Sequence, residues 1–334
     1  MTSTGNSMRW VRRAAVALGS SAVLVAAVGV AAHYLDTSAT LLVVLASAAP
    51  LLMMCGLAGL VTLAVARQWA GTAVAAAVLA AAAWTQLPLY TADRVDAAPS
   101  ALTVLQANIF FGNADLEGIV AQVRSRDVDV LTVNELTDAA VPRLGAAGLD
   151  EELPFRYLRP TAELAGGTGI WSRYPLSDQV EHLGFALNMV SARVQPPGQP
   201  SFVAVAAHPL PPVPRAQTDT WSRELGQLQQ ILRGLRAGGD PVVVGGDFNA
   251  TFDHSQYRAL TGDGFRDAAE QSGAGMLRTY PADRWWPPAL AIDHVLVAGA
   301  DVTGAEAVDL PGSDHRGVLA AVVLPTGGDQ PGSD

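Results

Sequence analysis

Three apolar runs follow one another in the first ninety residues, at about 14–35, 40–66 and 71–90. Each is long enough to cross about 30 Å of hydrocarbon as a helix. The first has a second reading as a cleaved signal peptide, because Arg12 and Arg13 precede it. Two further runs of the same kind favour a polytopic anchor over residues 1–91. Arg9, Arg12 and Arg13 flank the first run and Arg67 separates the second from the third, whereas the link at Asp36, Thr37 and Ser38 has no basic residue. Basic flanks stay cytoplasmic, so three transmembrane helices would leave the rest of the chain extracytoplasmic. Trp84 and Tyr90 then sit near the outer interface, where aromatic residues concentrate; Arg94 argues the other way. No carboxylate or lysine falls inside the runs, so nothing in them points to transport.

Beyond residue 100 the chain reads differently. The net charge is −10, every basic residue is arginine, and the part up to residue 99 carries +2, which leaves −12 for the remainder. A strongly acidic domain repels polyanions, so nucleic acid is the less favoured partner, although a bound divalent cation would supply local positive charge. The single cysteine, Cys55, lies in the apolar region; it excludes an internal disulfide and any metal site built on several cysteines.

Residues 92–100 read as a polar linker and 326–334 as a flexible tail, with a globular domain at 101–325 between them. Strands are expected at 102–108, 128–135, 189–194, 201–208, 242–244, 292–298, 302–308 and 318–324, from short β-branched runs. Helices are expected at 115–125, at 137–145, and between Trp221 and Leu235, where Trp221, Leu225, Leu228, Ile231, Leu232 and Leu235 share one face. Strands alternating with helices predict an α/β domain of two packed sheets with helices outside.

The densest stretch is Val242 to Ala250. Three valines predict a buried strand; Gly245 and Gly246 then let the backbone turn tightly and approach something closely. Asp247 and Asn249 then project to one side, because an extended chain repeats every two residues. Other strands also end in groups that bind cations or move protons: Asn108, Glu135, His208, Asp293, and Asp314 with His315. One such ending is ordinary; several in one domain point to a shared site.

The ordered set Gln106-x-Asn108, Asn134-Glu135, Ser172-Arg173-Tyr174-Pro175, His208, Gly246-Asp247-Phe248-Asn249, Ile292-Asp293-His294 and Ser313-Asp314-His315 resembles the endonuclease/exonuclease/phosphatase superfamily over residues 100–325. That resemblance implies a four-layer α/β sandwich and a metal-dependent hydrolase of phosphate esters using Mg²⁺ or Mn²⁺. It implies Glu135, Asn108 and Asp314 as metal ligands. By the same resemblance Asp247 orients or deprotonates water, Asn249 stabilises the phosphorane oxygens, His208 donates to the phosphate or leaving oxygen, and His315, fixed by Asp293, is the second candidate base. The membrane-anchored arrangement, with Asn249 to His254, resembles actinobacterial glycopeptide-resistance proteins. It implies a lipid-linked pyrophosphate as substrate and a role in teicoplanin-type resistance.

Weaker candidates have structural readings. Arg173 fits a strand-to-turn corner, His182 a surface group, and His254 either the site or a loop hydrogen bond. His294 should face away from Asp293. Trp285 and Trp286, beside prolines, read as packing, as a support for an apolar substrate part, or as interface residues.

Overall fold

A computed structural model describes residues 3–93, 101–162, 165–213 and 217–325. The expected tail at 326–334, and the expected linker apart from Ala92, Asp93 and the start at Thr91, lie outside the described residues.

The chain divides into two compact units. The first holds Met1–Pro88 with Asp253–Ser255. Its helices are α1 (Ser3–Tyr34), α2 (Thr40–Ser47), α3 (Ala49–Val65) and α4 (Trp69–Gln86). The stretches Ser7–Tyr34 and Trp69–Tyr90 are long and apolar enough to cross a membrane. The middle run departs from the expected single helix: α2 and α3 meet at 65°, and they make a third span only if the bent pair counts as one. The break falls at Ala48, just before Pro50 in the first turn of α3, where proline removes a backbone donor and crowds the preceding turn. Small residues carry the helix packing. A side chain at Gly59 would meet Val23 at 2.7 Å and one at Gly29 would meet Ala49 at 2.8 Å. Within this unit His33 Nδ1 lies 2.8 Å from Asp253 Oδ1, and His254 Nε2 lies 3.0 Å from the Val43 carbonyl.

The second unit is an α/β sandwich of two packed, mixed sheets flanked by helices. In chain order its elements are β1 (Leu102–Asn108), α5 (Leu116–Ser125), β2 (Val130–Asn134), α6 (Ala140–Ala146), α7 (Leu149–Glu152), β3 (Phe155–Arg159), β4 (Thr168–Ser172), β5 (Leu176–Glu181), β6 (Val190–Val194) and β7 (Phe202–Ala207). There follow α8 (Thr218–Ala237), β8 (Val242–Asp247), α9 (Ser255–Arg258), β9 (Phe265–Asp267), α10 (Ala268–Ser272), β10 (Asp293–Ala298), β11 (Asp301–Asp309) and β12 (Arg316–Val323). One sheet runs β11-β12-β1-β2-β4-β3 and the other β5-β6-β7-β8-β10-β9. Each has a single parallel pair at its centre, β1 with β2 and β7 with β8.

Period-two alternation sorts the side chains. Val104, Val130, Ile170 and Val318 of one sheet join Ala192, Ala204, Val243 and Val295 of the other in a common core. Leu105, Ala107, Leu131 and Val133 point outward and pack with Ile119, Val120, Val123 and Leu144. Asp115 caps α5 by accepting from Gly118 N, which removes one unpaired donor at the helix start. Gly245 and Gly246 do not turn the chain: β8 runs through both. Close approach explains them, since a side chain at Gly245 would lie 2.2 Å from Thr132 Oγ1 of the facing sheet, and one at Gly246 2.1 Å from the Ala207 carbonyl.

Candidate active site

The two central parallel pairs send their carboxyl ends to one rim of the sandwich, the end where open α/β sheets gather ligand-binding groups. Asn108 lies opposite Asn134 and Ala207 opposite Gly246. Antiparallel β10 begins there, with Asp293 directly across from Asp247, and β12 begins just after His315. Two of the residues that follow a strand end hold left-handed backbone without being glycine: Glu135 at φ +58° and Asn249 at φ +49°. Such conformations persist only where the surroundings enforce them, and they concentrate at functional sites.

Buried amides tie the sheets together beneath the rim. Gln106 Nε2 donates to Asn134 Oδ1 and to Asp293 Oδ1, both at 3.1 Å. Asn134 Oδ1 also accepts from Asp247 N at 2.8 Å, while its Nδ2 donates to Thr168 Oγ1 and the Ala207 carbonyl. Asn134 therefore touches both sheets and fixes the backbone of Asp247. Ser313 Oγ donates to the Asn108 carbonyl at 2.8 Å and accepts from His315 N. The motifs contained Gln106, Asn134 and Ser313, but a sequence does not show that one strand-end amide fixes the backbone of another strand.

Around this frame the acid–base groups converge. His315 Nδ1 is 2.8 Å from Asp293 Oδ2, and its Nε2 is 3.7 Å from Asp247 Oδ2. His208 Nε2 is 3.6 Å from the same oxygen. All four side chains are buried. Burial would lower the His315 pKa, but the charges of Asp293 and Asp247 outweigh it and raise it. Burial raises Asp247, and the neighbouring Asp293 adds to the rise. Burial, then the charge of His315, pushes His208 down to about 3. Burial thus favours the neutral form of the His208 imidazole.

The expected metal ligands sit on the neighbouring part of the rim. Asn108 Nδ2 donates to Glu135 Oε1 at 3.2 Å and to Asp247 Oδ2 at 3.1 Å; its Oδ1 accepts from Phe110 N. Glu135 Oε2 accepts from Phe111 N. Burial raises the Glu135 pKa, and the charge of Asp314 contributes to that rise. Asp314 is itself raised by burial, and its Oδ1 is buried without a hydrogen-bond partner among the described residues. Two carboxylates that repel each other, one with an unused buried oxygen, fit a hard divalent cation. Asn108 would join them only with its amide reversed, since its nitrogen faces the carboxylates. Asp247, Asp293 and His315 also bring ligand atoms within 4.8 Å of one another. Both Asp293 oxygens in that group are already engaged, by Gln106 and His315.

Asn249 is held from several sides. Its N–H donates to Asp247 Oδ1 and its Nδ2 to the Pro209 carbonyl. The carbonyls before and after it are gripped as well: Trp221 Nε1 donates to Phe248 O at 3.3 Å, and His294 Nε2 lies 2.9 Å from Ala250 O. His294 faces away from Asp293, as alternation requires, and its Nδ1 meets Asp267 Oδ2 at 2.8 Å. Tyr257 hydroxyl donates to the same carboxylate. Arg173 serves a corner, bonding the Val128 carbonyl and Asp129. His182 bonds Ser191 Oγ. Tyr280, which the motifs did not mark, packs its ring 4.8 Å from that of His315.

Comparison with known proteins gives concordant results. The family model described as Endonuclease/Exonuclease/phosphatase family matches residues 105–315. The UPF0294 protein VV2535 of Vibrio vulnificus strain YJ016 is 28% identical over 162 residues, 48% of this chain and 45% of that protein. The UPF0294 protein VV1_1880 of strain CMCP6 is 31% identical over 101 residues, 30% of this chain and 34% of that protein. The chain thus spans less than half the length of the curated relatives it matches. Among solved structures, D. rerio TDP2 complexed with single strand DNA product has a TM-score of 0.56 at 16% identity, covering 67% of this chain and 99% of that one. The human Nocturnin catalytic domain with bound sulfate anion has a TM-score of 0.52 at 18% identity, covering 71% and 99%. An endonuclease/exonuclease/phosphatase family protein from Bacteroides thetaiotaomicron has a TM-score of 0.53 at 17% identity, covering 69% and 100%. At these identities the likeness is one of fold.

Proposed function

Because the chain belongs to the endonuclease/exonuclease/phosphatase family, we propose that its second unit is a divalent-metal-dependent phosphoesterase working at the rim of Asp247, Asn249, His208, Asp293 and His315. The observation that carries this reading is the line Asp293–His315–Asp247, with Nδ1 of the histidine fixed at 2.8 Å and Nε2 directed at the second carboxylate 3.7 Å away. A histidine oriented on one nitrogen by a carboxylate is equipped to move a proton at the other.

Glu135 and Asp314, with Asn108 after an amide flip, would hold Mg²⁺ or Mn²⁺; when bound, the cation neutralises phosphate charge. Asp247 and His315 bracket the place where water is deprotonated. Asn249, in left-handed backbone, has its Nδ2 anchored on the Pro209 carbonyl; its second Nδ2 hydrogen would serve the phosphoryl oxygens, the kind of preorganised donor that stabilises a transition state. His208 adds a neutral donor. The helices long and apolar enough to span a membrane support a tethered enzyme; the arginine flanks Arg9, Arg12, Arg13 and Arg67 add an extracytoplasmic placement to the proposal, and the resemblance adds a lipid-linked pyrophosphate of cell-wall synthesis as substrate and a contribution to teicoplanin-type resistance.

The test is phosphate release from undecaprenyl pyrophosphate by the full chain in lipid nanodiscs, with and without Mg²⁺, for wild type and Asp247→Ala. Metal-dependent release lost in the variant is expected; equal release by both ends the reading. The solved relative bound to a single strand DNA product supports a second reading, an extracytoplasmic nuclease. Divalent-dependent cleavage of DNA that weakens with salt would favour it; the charge of −12 beyond residue 99 opposes it.

A further inference from the structure

Residues 281–289 form a loop closed at its base by pairing of Tyr280 with Leu290. Tyr280 N donates to Leu290 O at 3.0 Å and Leu290 N returns to Tyr280 O at 2.8 Å. The base is fastened to the site in three places. Ala282 N donates to the Asp314 carbonyl at 2.7 Å, Arg316 N donates to the Thr279 carbonyl at 2.8 Å, and the Tyr280 ring lies against His315. Pro281, Pro287 and Pro288 stiffen the loop, and Pro288 is buried as its inner anchor. The tip contradicts the expectation of simple packing. Trp285 is 91% exposed and Trp286 43%, their rings edge to face at 5.2 Å. Arg284, the one basic residue of the loop, is paired with Asp283 at 3.2 Å.

A single exposed apolar side chain is ordinary. Two adjacent indoles, held in water by a proline-rich loop whose base rests on the candidate acid–base histidine, make a prepared apolar surface beside a polar one. We propose that Trp285 and Trp286 are an apolar subsite of this same site, taking the hydrocarbon part of an amphiphilic phosphate ester whose phosphate lies at Asp247 and His315. This rests on the phosphoesterase reading above. A nucleobase could also stack on indole, but no unpaired cation in the loop accompanies the ring pair to hold a polyanion. The chain's apolar helices concentrate it where amphiphiles reside.

The experiment uses the full chain in lipid nanodiscs with Mg²⁺ and two soluble probes, methyl and hexyl para-nitrophenyl phosphate. Wild type is expected to turn over the hexyl ester with a kcat/KM at least about tenfold above the methyl ester, well below what five fully buried methylenes could give. The double variant Trp285→Ala with Trp286→Ala should lose that preference through KM and keep its rate on the methyl ester. Trp285→Phe with Trp286→Phe should restore most of it. An unchanged hexyl-to-methyl ratio in the Ala variant, or an equal loss on both esters, overturns the subsite. A tryptophan-dependent preference for a thymidine para-nitrophenyl phosphate over the hexyl ester overturns it in favour of base stacking. If no form turns over any ester, the phosphoesterase reading fails by itself. The subsite is then decided by bromohexyl phosphate: indole quenching that vanishes in the Ala variant supports it, and its absence in wild type overturns it.

Discussion

Strand β10 opens with two neighbours that face opposite ways, and each belongs to an Asp–His pair of the same length. On the rim Asp293 holds His315 at 2.8 Å; on the other face Asp267 holds His294 at 2.8 Å. Both pairs are buried, and both histidines are raised above their ordinary pKa with burial opposing and carboxylates prevailing. The second ring nitrogen separates them. His294 Nε2 ends on the Ala250 carbonyl at 2.9 Å, an acceptor that can neither take nor give a proton, and Asp267 is further occupied by Tyr257 and by Ala269 N. His315 Nε2 faces Asp247 at 3.7 Å, too far for a made hydrogen bond and near enough for water or a phosphate oxygen to join both groups. The pair itself thus does not make a catalytic group. What stands opposite its far nitrogen is what makes His315 the candidate and His294 not.

The widest separation should come from chelation. Stripping divalent ions is expected to abolish turnover while leaving the melting temperature contribution of the Asp267–His294 pair unchanged, read by repeating the His294→Gln comparison with and without chelator. A metal-independent rate would remove Glu135 and Asp314 from the site. Next comes the same substitution at both histidines. His315→Gln should cut kcat by about 10²–10⁴-fold per folded molecule, the usual worth of a positioned acid–base group. His294→Gln should leave the Ala250 carbonyl or Asp267 short of a donor and cost about 1–3 kcal/mol of stability, with far less effect on kcat per folded molecule. Reversed outcomes would collapse the distinction. Asp293→Asn should then fall between them, at about 10²-fold in kcat, because Gln106 still has an acceptor while the tautomer of His315 is no longer fixed. A pH–rate profile that keeps the wild-type shape would show that Asp293 does not act through His315.

The same strand shows how much a sequence discloses. Alternation alone placed Asp293 and His294 on opposite faces, and strand ends alone gathered Asn108, Glu135, His208, Asp247, Asn249 and His315, which the structure brings to one rim. The central strands were legible because burial on both faces demands unbroken β-branched runs. The strands β3, β5 and β9 were not, and all three are edges of their sheets; β4, interior and fully buried, was the exception among the inner strands, because Gly166, Gly167 and Gly169 around its start read as a flexible turn. β5 has half of its residues exposed and none buried, and an edge is defined by its neighbour's pairing more than by its own pattern. Gly245 and Gly246 suggested a tight turn as well as a close approach; the strand runs on through both, and only the approach to the facing Thr132 is found. The partners of His294 were equally hidden, because Tyr257 reaches it from α9 and Asp267 from the end of β9. The bend at Ala48 was masked by apolar residues that continue on both sides.

The smallest expected effect is on stability as a function of pH, and it probes the charge of the locked pair. His294 has acceptors at both ring nitrogens, so both must donate and the folded ring is an imidazolium. Burial would push Asp267 up, but hydrogen bonds from His294, Tyr257 and Ala269 outweigh it and hold the carboxyl below its ordinary value. His294 is raised, burial again opposing, by Asp267, the Ala250 carbonyl and the charge of Asp293. Glu270, itself raised by burial, adds a carboxylate on the same side through Asp267. A raised histidine stabilises the fold fully below its unfolded pKa of about 6.5 and loses that contribution as pH rises through the folded value. A depressed aspartate stabilises above about 3.9 and loses it as pH falls through the folded value. The difference in unfolding free energy between wild type and His294→Gln should therefore be largest between about pH 4 and 6.5 and shrink on either side. A difference that stays level well above pH 6.5 would mean a neutral ring, and the two pairs would then differ in charge as well as in what faces them.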